Sequence, residues 1–343
     1  AVTMKKLLYG MLICVISFSM TACNSDESES KTEIFAMDTY VTIEAFGENS
    51  EKAVSDAEQE IKRLENLWSV TDENSEIYAV NHSGGQPVFI SDETAELIEY
   101  ALEISDLTDG ALDISLYPVL LEWGFTTGEY KIPDEETLQN LLIRTGYEKV
   151  KLDGNYINLE DEMQIDLGAV GKGFTGDLLA EKIKENSVKS ALINLGGNVQ
   201  TIGTKPDGSD WKVGITSPYG EGNFAVLEIS DKAIVTSGGY ERYFIGEDGR
   251  QYHHILNPET GKPAESGLIS VSVIASEGRL CDALSTSLFV MGLEKAENLW
   301  KSKNDFDMIL VTENGEIYIT EGIEDNFSLN TMYSNLEVSV IHR

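Results

Sequence analysis

Apolar residues recur along this chain with two different periods. At residues 51–67, 92–107 and 174–186 they are spaced three and four positions apart, as on one face of a helix. Short alternating or continuous apolar runs, many of them β-branched, predict strands. These strands are expected at 40–46, 150–152, 156–159, 190–195, 211–215, 224–229, 233–236, 268–274 and within a terminal sheet segment at 307–320. Because helices and strands mix without regular alternation, the pattern favours an α+β fold with mixed sheets and flanking helices.

One segment combines a strand, a turn and a helix. The apolar strand at 268–274 is interrupted at 276–278, and a helical pattern follows. Asp282 is expected at the start of this helix, with Ser285 and Thr286 one turn later on the same face. Three oxygen groups at a buried helix start suit a small, hard cation such as Mg²⁺. Taken alone, the pattern also fits a capping acid with two small polar residues packed against a sheet.

The composition restricts the class of protein. With 343 residues, 41% apolar and 24% charged, the chain has the makeup of a globular protein with a large core. There are 25 basic and 59 acidic residues, which give a formal net charge of −34. A chain this negative repels phosphate backbones, so we expect no nucleic-acid binding. An anionic substrate would need a cation to bridge it to the protein.

The first residues have the pattern of an export signal. Two lysines at positions 5 and 6 precede an apolar run at 7–20 and the tripeptide Thr21-Ala22-Cys23. A Cys after Thr-Ala resembles the lipid-acceptor Cys of bacterial lipoproteins, which implies an extracytoplasmic protein anchored to the bacterial cell membrane. An ordinary secreted signal is the alternative, but the polar residues that follow favour the lipoprotein. The expected segments are a lipoprotein-type signal peptide at 1–22, a lipidated Cys23 with a polar tether at 23–32, and one folded domain at 33–343.

The cysteine count limits both disulfides and metal sites. Of the three cysteines, Cys14 falls in the expected signal peptide and Cys23 is the expected anchor. Only Cys281 remains, so no disulfide within the folded domain is expected. The chain has four histidines, and a Cys or His metal cluster is equally excluded by these counts. Any metal site must therefore be built from oxygen ligands.

Residues 171–176, Gly-Lys-Gly-Phe-Thr-Gly, match the G-x-G-x-x-G pattern of dinucleotide-binding folds. That fold also requires an acid at the end of the next strand, but the strand at 190–195 ends in Asn and Leu. A Walker loop is excluded because Gly173 follows Lys172 where a hydroxyl is needed. The remaining interpretation is that glycines at a helix entry expose backbone groups to a phosphate or a metal, with Lys172 adding a positive charge.

Seven short motifs occur in a fixed order. They are Ala36-Met37-Asp38-Thr39, Thr108-Asp109-Gly110-Ala111-Leu112-Asp113, Asp166-Leu167-Gly168-Ala169-Val170-Gly171-Lys172-Gly173, Asn194-Leu195-Gly196-Gly197, Thr236-Ser237-Gly238, His254-Ile255-Leu256-Asn257-Pro258 and Asp282-Ala283-Leu284-Ser285-Thr286. Together they resemble the ApbE family of flavin transferases over residues 34–320. Members of this family commonly carry a lipoprotein signal. The resemblance implies an ApbE-like fold, with the active site in a cleft between two halves of one catalytic domain.

The resemblance also implies roles for individual residues. The implied metal ligands are Asp282, Ser285, Thr286 and the backbone carbonyl of Ala169. The implied FAD-binding residues are Met37, Thr71, Ala111, Leu112, Asp113, Asp166, Lys172 and Leu256. The implied catalytic residues are His254, Asp282 and Lys172. Three positions depart from the pattern: Asp38 stands where Gly is usual, Thr71 where some members have a larger residue, and Ser285 where some have an acid.

The activity implied is Mg²⁺-dependent transfer of FMN from FAD to a Thr hydroxyl of an acceptor protein, with release of AMP. The acceptor implied is an extracytoplasmic subunit of a flavin-dependent redox pump. Asp282, Asp166 and His254 are alternatives for the base that takes the hydroxyl proton, and the sequence does not choose among them. Two other functions fit the same residues: a metal-dependent FAD pyrophosphatase that yields FMN and AMP, and a non-catalytic FAD-binding lipoprotein.

Overall fold

The computed structural model describes residues 28–343, so the expected signal peptide, Cys23 and the first part of the expected tether lie outside the described residues. The helices are α1 (Ser50–Trp68), α2 (Glu76–Asn81), α3 (Asp92–Leu107), α4 (Tyr117–Trp123), α5 (Glu135–Leu142), α6 (Gly171–Glu185), α7 (Gly278–Met291) and α8 (Leu293–Ser302). The strands are β1 (Glu29–Ala36), β2 (Thr39–Phe46), β3 (Val88–Phe89), β4 (Lys151–Asp153), β5 (Tyr156–Asn158), β6 (Ser190–Leu195), β7 (Asn198–Ile202), β8 (Trp211–Thr216), β9 (Asn223–Ile229), β10 (Ala233–Gly238), β11 (Tyr243–Ile245), β12 (Gln251–His253), β13 (Leu268–Ala275), β14 (Phe306–Thr312), β15 (Ile317–Thr320), β16 (Phe327–Leu329) and β17 (Val338–Ile341).

A nine-stranded sheet with the order β1-β2-β6-β7-β10-β13-β14-β15-β17 forms the centre of the described chain. Its neighbouring strands are antiparallel except for β15 and β17, which are parallel. Three smaller sheets accompany it, with the orders β16-β9-β8, β3-β5-β4 and β11-β12. The mixed α+β fold expected from the hydrophobic pattern is confirmed.

The central sheet is covered on both faces, and strand β10 shows how. Its side chains alternate between two apolar cores, as the period of a strand requires. Ala233 and Val235 pack with α7 in one core, whereas Ile234 packs with β8 and β9 in the other. Helices α1 and α6 pack on β2 and β6 in a further core. The sheet therefore separates a helical layer from the three-stranded sheet.

Several elements differ from the sequence expectations, among them β1, α2 and β7. Strand β1 begins at Glu29, so residues 29–32 of the expected tether belong to the central sheet, because β1 pairs with β2 along its whole length. Helix α2 lies within 68–81, where the sequence predicts a polar connection; the short helix gives little helical signal because it buries only Ile77 and Val80 among its apolar side chains. Strand β7 was not expected because Asn198 and Gln200 interrupt its apolar pattern, yet all five of its residues are buried.

Helix α7 begins at Gly278, so Asp282 lies in its second turn and the expectation that it starts the helix is wrong. The reason is a capping carboxylate from α6. The backbone N–H groups of Gly278 and Arg279 donate to Asp177 at 2.7 and 3.0 Å, which satisfies the first turn of α7 before Asp282 is reached.

Within residues 28–343, no helix combines the length and apolar character needed to cross a bilayer.

Candidate active site

Helices α6 and α7 approach each other closely at two glycines. A Cβ atom on Gly173 would lie 2.2 Å from the carbonyl oxygen of Gly278, and one on Gly278 would lie 2.7 Å from the carbonyl oxygen of Gly173. Only glycine allows this approach without a shift of one backbone. Gly173 of the G-x-G-x-x-G match therefore serves helix packing, and Gly176 leaves room for the Gln200 side chain of β7.

The close approach brings Asp282 to the first turn of α6. Its Oδ2 accepts the N–H of Gly173 at 2.7 Å, and the side chain is 4% exposed. Burial raises the pKa of this carboxyl, whereas Lys172 and the backbone N–H of Gly173 lower it. The positive end of the α6 dipole and these donors thus stabilise a carboxylate that burial alone would neutralise.

A backbone carbonyl just before α6 is also free. Helix α6 begins at Gly171 with Val170 as its N-cap, so the N–H of Gly173 is one of the unpaired donors of the first turn, and it bonds to Asp282. Ala169 precedes the helix, and no hydrogen bond ends on its oxygen within the described part of the chain. A free carbonyl and a buried carboxylate at the start of the same helix are oxygen donors of the kind that a hard divalent cation takes.

The two hydroxyls expected beside Asp282 meet at β10. The hydroxyl of Ser285 lies 2.8 Å from that of Ser237 and 3.0 Å from the backbone carbonyl oxygen of Asp282. The Thr286 hydroxyl lies 3.3 Å from Ser237 and is partly exposed, whereas Ser285 is fully buried. The expected convergence of carboxylate and hydroxyls on one point is therefore incomplete, because the Asp282 carboxylate bonds to α6 and the hydroxyls bond to Ser237.

The residues in this region still fit a magnesium ion. Among residues 28–343 no group of three or more His, Cys, Asp or Glu side chains is arranged to hold a metal. Mg²⁺ does not need one, because it commonly takes one or two carboxylates and completes its shell with waters, phosphates and neutral oxygens. Asp282, the free Ala169 carbonyl and the partly exposed Thr286 hydroxyl are oxygen donors of that kind.

Lys172 is the electrostatic centre of the site. Its ammonium group lowers the pKa of four neighbours that belong to different segments: Asp166, Asp282, Glu241 and His254. Burial raises the pKa of Asp166 and brings that of Glu241 to about 7, against the effect of Lys172. Glu241 is exposed to solvent, so it lies at the rim of this region.

His254 is held as a neutral imidazole. Its Nδ1 lies 3.1 Å from the backbone carbonyl oxygen of Arg242, and since a carbonyl only accepts, Nδ1 carries the proton. Burial lowers the pKa of His254 to about 4, which keeps the ring neutral near pH 7. The lone pair of Nε2 is then the group that His254 can offer to a substrate.

Some of the expected FAD-binding residues lie on segments that contact this region: besides Asp166 and Lys172 themselves, the Met37 sulfur lies 3.5 Å from the Thr175 hydroxyl of α6. Met37 occupies the β1–β2 turn with φ of 51°, and its N–H donates to Glu65 at 2.6 Å. The segment of Ala111, Leu112 and Asp113 adjoins the loop at Asp166, whose N–H donates to the Ile114 carbonyl at 2.8 Å. Leu256 is buried two residues after His254.

Thr71 is not brought to this cluster by any hydrogen bond of the described chain. Its side chain is exposed, and it bonds only to Ser69 in its own loop. The Asp113 carboxylate is also used locally, because it accepts the N–H and the hydroxyl of Ser115 at 2.8 and 2.6 Å.

Three residues of the site had no assigned role in the sequence analysis: Ser237, Asp177 and Glu241. Ser237 lies within the Thr236-Ser237-Gly238 motif, which could have indicated its place in the site. Asp177 lies in α6, and its partner Gly278 is more than a hundred residues later, so only the fold shows the pairing. Glu241 follows the same motif, but no sequence pattern marks it as a functional residue.

Comparison with known proteins places these features in a family. Residues 37–310 match the model of the ApbE family. The chain is 34% identical to an FAD:protein FMN transferase of Klebsiella pneumoniae, over 79% of this chain and 85% of the relative. It is 30% identical to an FAD:protein FMN transferase of Treponema pallidum, over 92% of this chain and 94% of the relative.

Solved structures give the same result. The crystal structure of the ApbE protein from Thermotoga maritima superposes with a TM-score of 0.82 at 31% identity, covering 87% of this chain and 99% of that one. The flavin transferase ApbE from Vibrio cholerae superposes with a TM-score of 0.79 at 25% identity, covering 88% of this chain and 99% of that one.

Proposed function

This chain belongs to the ApbE family, and from that premise we propose that it transfers FMN from FAD to a threonine hydroxyl of an acceptor protein in a Mg²⁺-dependent reaction. FMN transfer from FAD to a protein is the activity for which its relatives are named. The threonine acceptor and the magnesium ion are the finer parts of the proposal.

The observation that carries the proposal is the pairing of the Ala169 loop with Asp282. FAD carries a diphosphate, and a chain of net charge −34 cannot attract it through overall charge. Locally, however, Lys172 lies among the acidic groups, and the free carbonyl of Ala169 comes four residues before Gly173, whose N–H donates to the buried Asp282 carboxylate. This arrangement supports a cation site next to a position for linked phosphates.

In the reaction the oxygen of the acceptor hydroxyl attacks the FMN phosphorus of FAD. A new P–O bond forms, the phosphoanhydride bond to AMP breaks, and AMP leaves. Asp282, the Ala169 carbonyl and Thr286 would hold Mg²⁺, whose charge would stabilise the negative phosphate oxygens. Lys172 adds a fixed positive charge at the same place.

The proton of the acceptor hydroxyl needs a base, and Glu241 is the candidate best matched to neutral pH. Its pKa of about 7 lets it hold a proton for part of the time, whereas the pKa of about 4 of His254 makes the imidazole a weak base. We therefore assign His254 a different role, in which its Nε2 accepts a hydrogen bond from the substrate. Asp282 and Asp166 are not assigned as the base, and the positive charge of Lys172 lowers the pKa of both carboxyls.

The test is an incubation with FAD, Mg²⁺ and a pool of nine-residue peptides with a fixed central threonine and randomised flanks. The expected result is peptide that carries FMN by mass spectrometry, together with an equal amount of AMP. Free FMN and AMP without labelled peptide would instead identify an FAD pyrophosphatase. FAD that stays intact and bound would identify a non-catalytic flavin-binding protein.

We also propose that the protein is exported and held at the outer face of the bacterial membrane by a lipid on Cys23. The support is the sequence pattern at 5–23, and the acceptor would then be an extracytoplasmic subunit of a flavin-dependent redox pump. In a bacterial host, the full chain should fractionate with membranes and carry a lipid on Cys23 by mass spectrometry. A Cys23→Ser variant that fractionates as wild type would contradict the anchor.

A further inference from the structure

A groove lies on the face of the central sheet opposite α7. It encloses a cavity of about 360 Å³ between the central sheet and the edge of the three-stranded sheet. Asn194 and Thr236 form part of its floor, Thr216 part of its wall, and Glu241 lies at one end. None of the FAD-binding or metal-binding residues considered above lines this groove.

The wall of the groove is an edge strand. In the sheet order β16-β9-β8, strand β8 has a strand partner on one side only within the described residues. An edge strand presents backbone N–H and C=O groups to any extended segment beside it. The six residues of β8 span about 20 Å, which matches about six residues of an extended peptide.

The groove leads to the candidate active site. The Tyr240 hydroxyl donates to the carbonyl of Thr216 at 3.4 Å, so the end of β8 lies beside the turn that follows β10. Glu241 follows Tyr240 in the sequence and lines the groove. The charges of Lys172 and Asp282, which belong to the candidate active site, also shift its pKa. A segment lying along β8 would therefore reach the site from the face opposite the metal-binding helix.

Two motifs without a role in FAD or metal binding contribute to the groove. Asn194 and Gly197 come from the motif at 194–197, and Thr236 from the motif at 236–238. These side chains are small and uncharged, whereas Lys212 and Glu241 add one positive and one negative charge to the lining, and the Asn223 side chain lies against Gly214 of β8. Such a lining admits a backbone with small side chains and offers it hydrogen bonds.

We propose that this groove binds an extended segment of the acceptor protein along the edge of β8 and delivers its hydroxyl residue to Glu241. The inference rests on the proposed transferase activity, because that reaction requires a macromolecular acceptor. The occupant is a segment of about six residues with small side chains around the modified residue.

The experiment uses Thr216→Trp, which fills the groove at its active-site end from an exposed strand position. The matched control is Ser328→Trp, an exposed position on β16 at the opposite edge of the same sheet. With the peptide pool described above, KM for the acceptor should rise on the order of tenfold or more in Thr216→Trp. The control should keep the wild-type KM, and both variants should keep the wild-type FAD affinity, measured by flavin fluorescence.

Gly214→Val is the second variant, in case Thr216→Trp does not fold. A Cβ on Gly214 would collide with the Asn223 side chain, which is exposed and lines the groove, so the amide would be displaced within it. The same rise in KM is expected.

An unchanged acceptor KM in both groove variants would overturn the inference, and so would a parallel loss of FAD affinity, which would assign the groove to FAD. Failure of the wild-type protein to label any peptide would instead count against the proposed function.

Discussion

Asp177 and Asp282 each cap the helix that carries the other. Asp177 on α6 accepts the N–H of Gly278 at 2.7 Å, and Asp282 on α7 accepts the N–H of Gly173 at 2.7 Å. Carboxylates at helix N-termini are favoured by the unpaired donors and the dipole there. Because the two caps are reciprocal, the Ala169 loop and the Asp282 carboxylate are held in a fixed relation to each other.

Asp177 should therefore control the metal site without contacting it. Asp177→Asn should raise the Mg²⁺ concentration needed for half-maximal FMN transfer roughly tenfold, with activity restored at saturating Mg²⁺. Asp134→Asn is the matched control, since Asp134 caps α5 by accepting the N–H of Thr137 at 2.7 Å. A loss of activity that Mg²⁺ does not restore would show that Asp177 only supports the fold.

Thr286 and Ser285 should differ in importance. The Thr286 hydroxyl is partly exposed, whereas that of Ser285 is fully buried and lies within hydrogen-bond distance of both Ser237 and the Asp282 carbonyl. Thr286→Ala should weaken Mn²⁺ binding, measured by calorimetry, by on the order of tenfold, and Ser285→Ala by less. Equal effects, or a larger effect of Ser285→Ala, would contradict this donor assignment.

Glu241→Gln should lower kcat for FMN transfer by on the order of 100-fold, because the amide cannot take the hydroxyl proton. FAD affinity, measured by flavin fluorescence, should stay within about twofold of wild type, since the substitution keeps the size of the side chain. If the variant keeps the wild-type kcat, a group other than Glu241 must act as the base.

His254 should make the stability of the protein depend on pH. Its folded pKa of about 4 lies below the ordinary value of 6.5, so the unfolded state binds more protons between these values. Stability from this group is complete above pH 6.5 and is lost as the pH falls towards 4. At pH 5 the loss is about 2 kcal/mol.

Urea unfolding at pH 7 and pH 5 measures this effect when wild type and His254→Gln are compared. The difference in unfolding free energy between the two pH values should be about 2 kcal/mol smaller in the variant, because the other titrating groups are common to both. An identical difference in both proteins would show that His254 titrates normally.

Local sequence patterns were sufficient to predict many of the helices and strands. The expected helix at 92–107 is α3 with the same bounds, because its apolar positions repeat at helical spacing and Ser91 caps it. The strand and helix around Asp282 were also predicted. The start of α7 was misplaced because its cap, Asp177, comes from a distant segment and leaves no local signal.

The candidate site was predictable in its residue types more than in its contacts. Helical spacing placed Asp282, Ser285 and Thr286 on one face, but spacing does not specify which neighbour each oxygen bonds. The neighbours, Gly173 and Ser237, are supplied by tertiary packing.

The central claim is that a divalent ion held at Asp282 is required for FMN transfer. It is tested most directly by labelling the acceptor peptide with FAD after EDTA treatment, while Mg²⁺ is restored stepwise. Wild-type protein should give no labelled peptide in EDTA and saturable recovery with Mg²⁺, whereas folded Asp282→Asn should stay inactive at concentrations that saturate wild type. Full labelling in EDTA, or a wild-type response to Mg²⁺ in Asp282→Asn, would contradict the account.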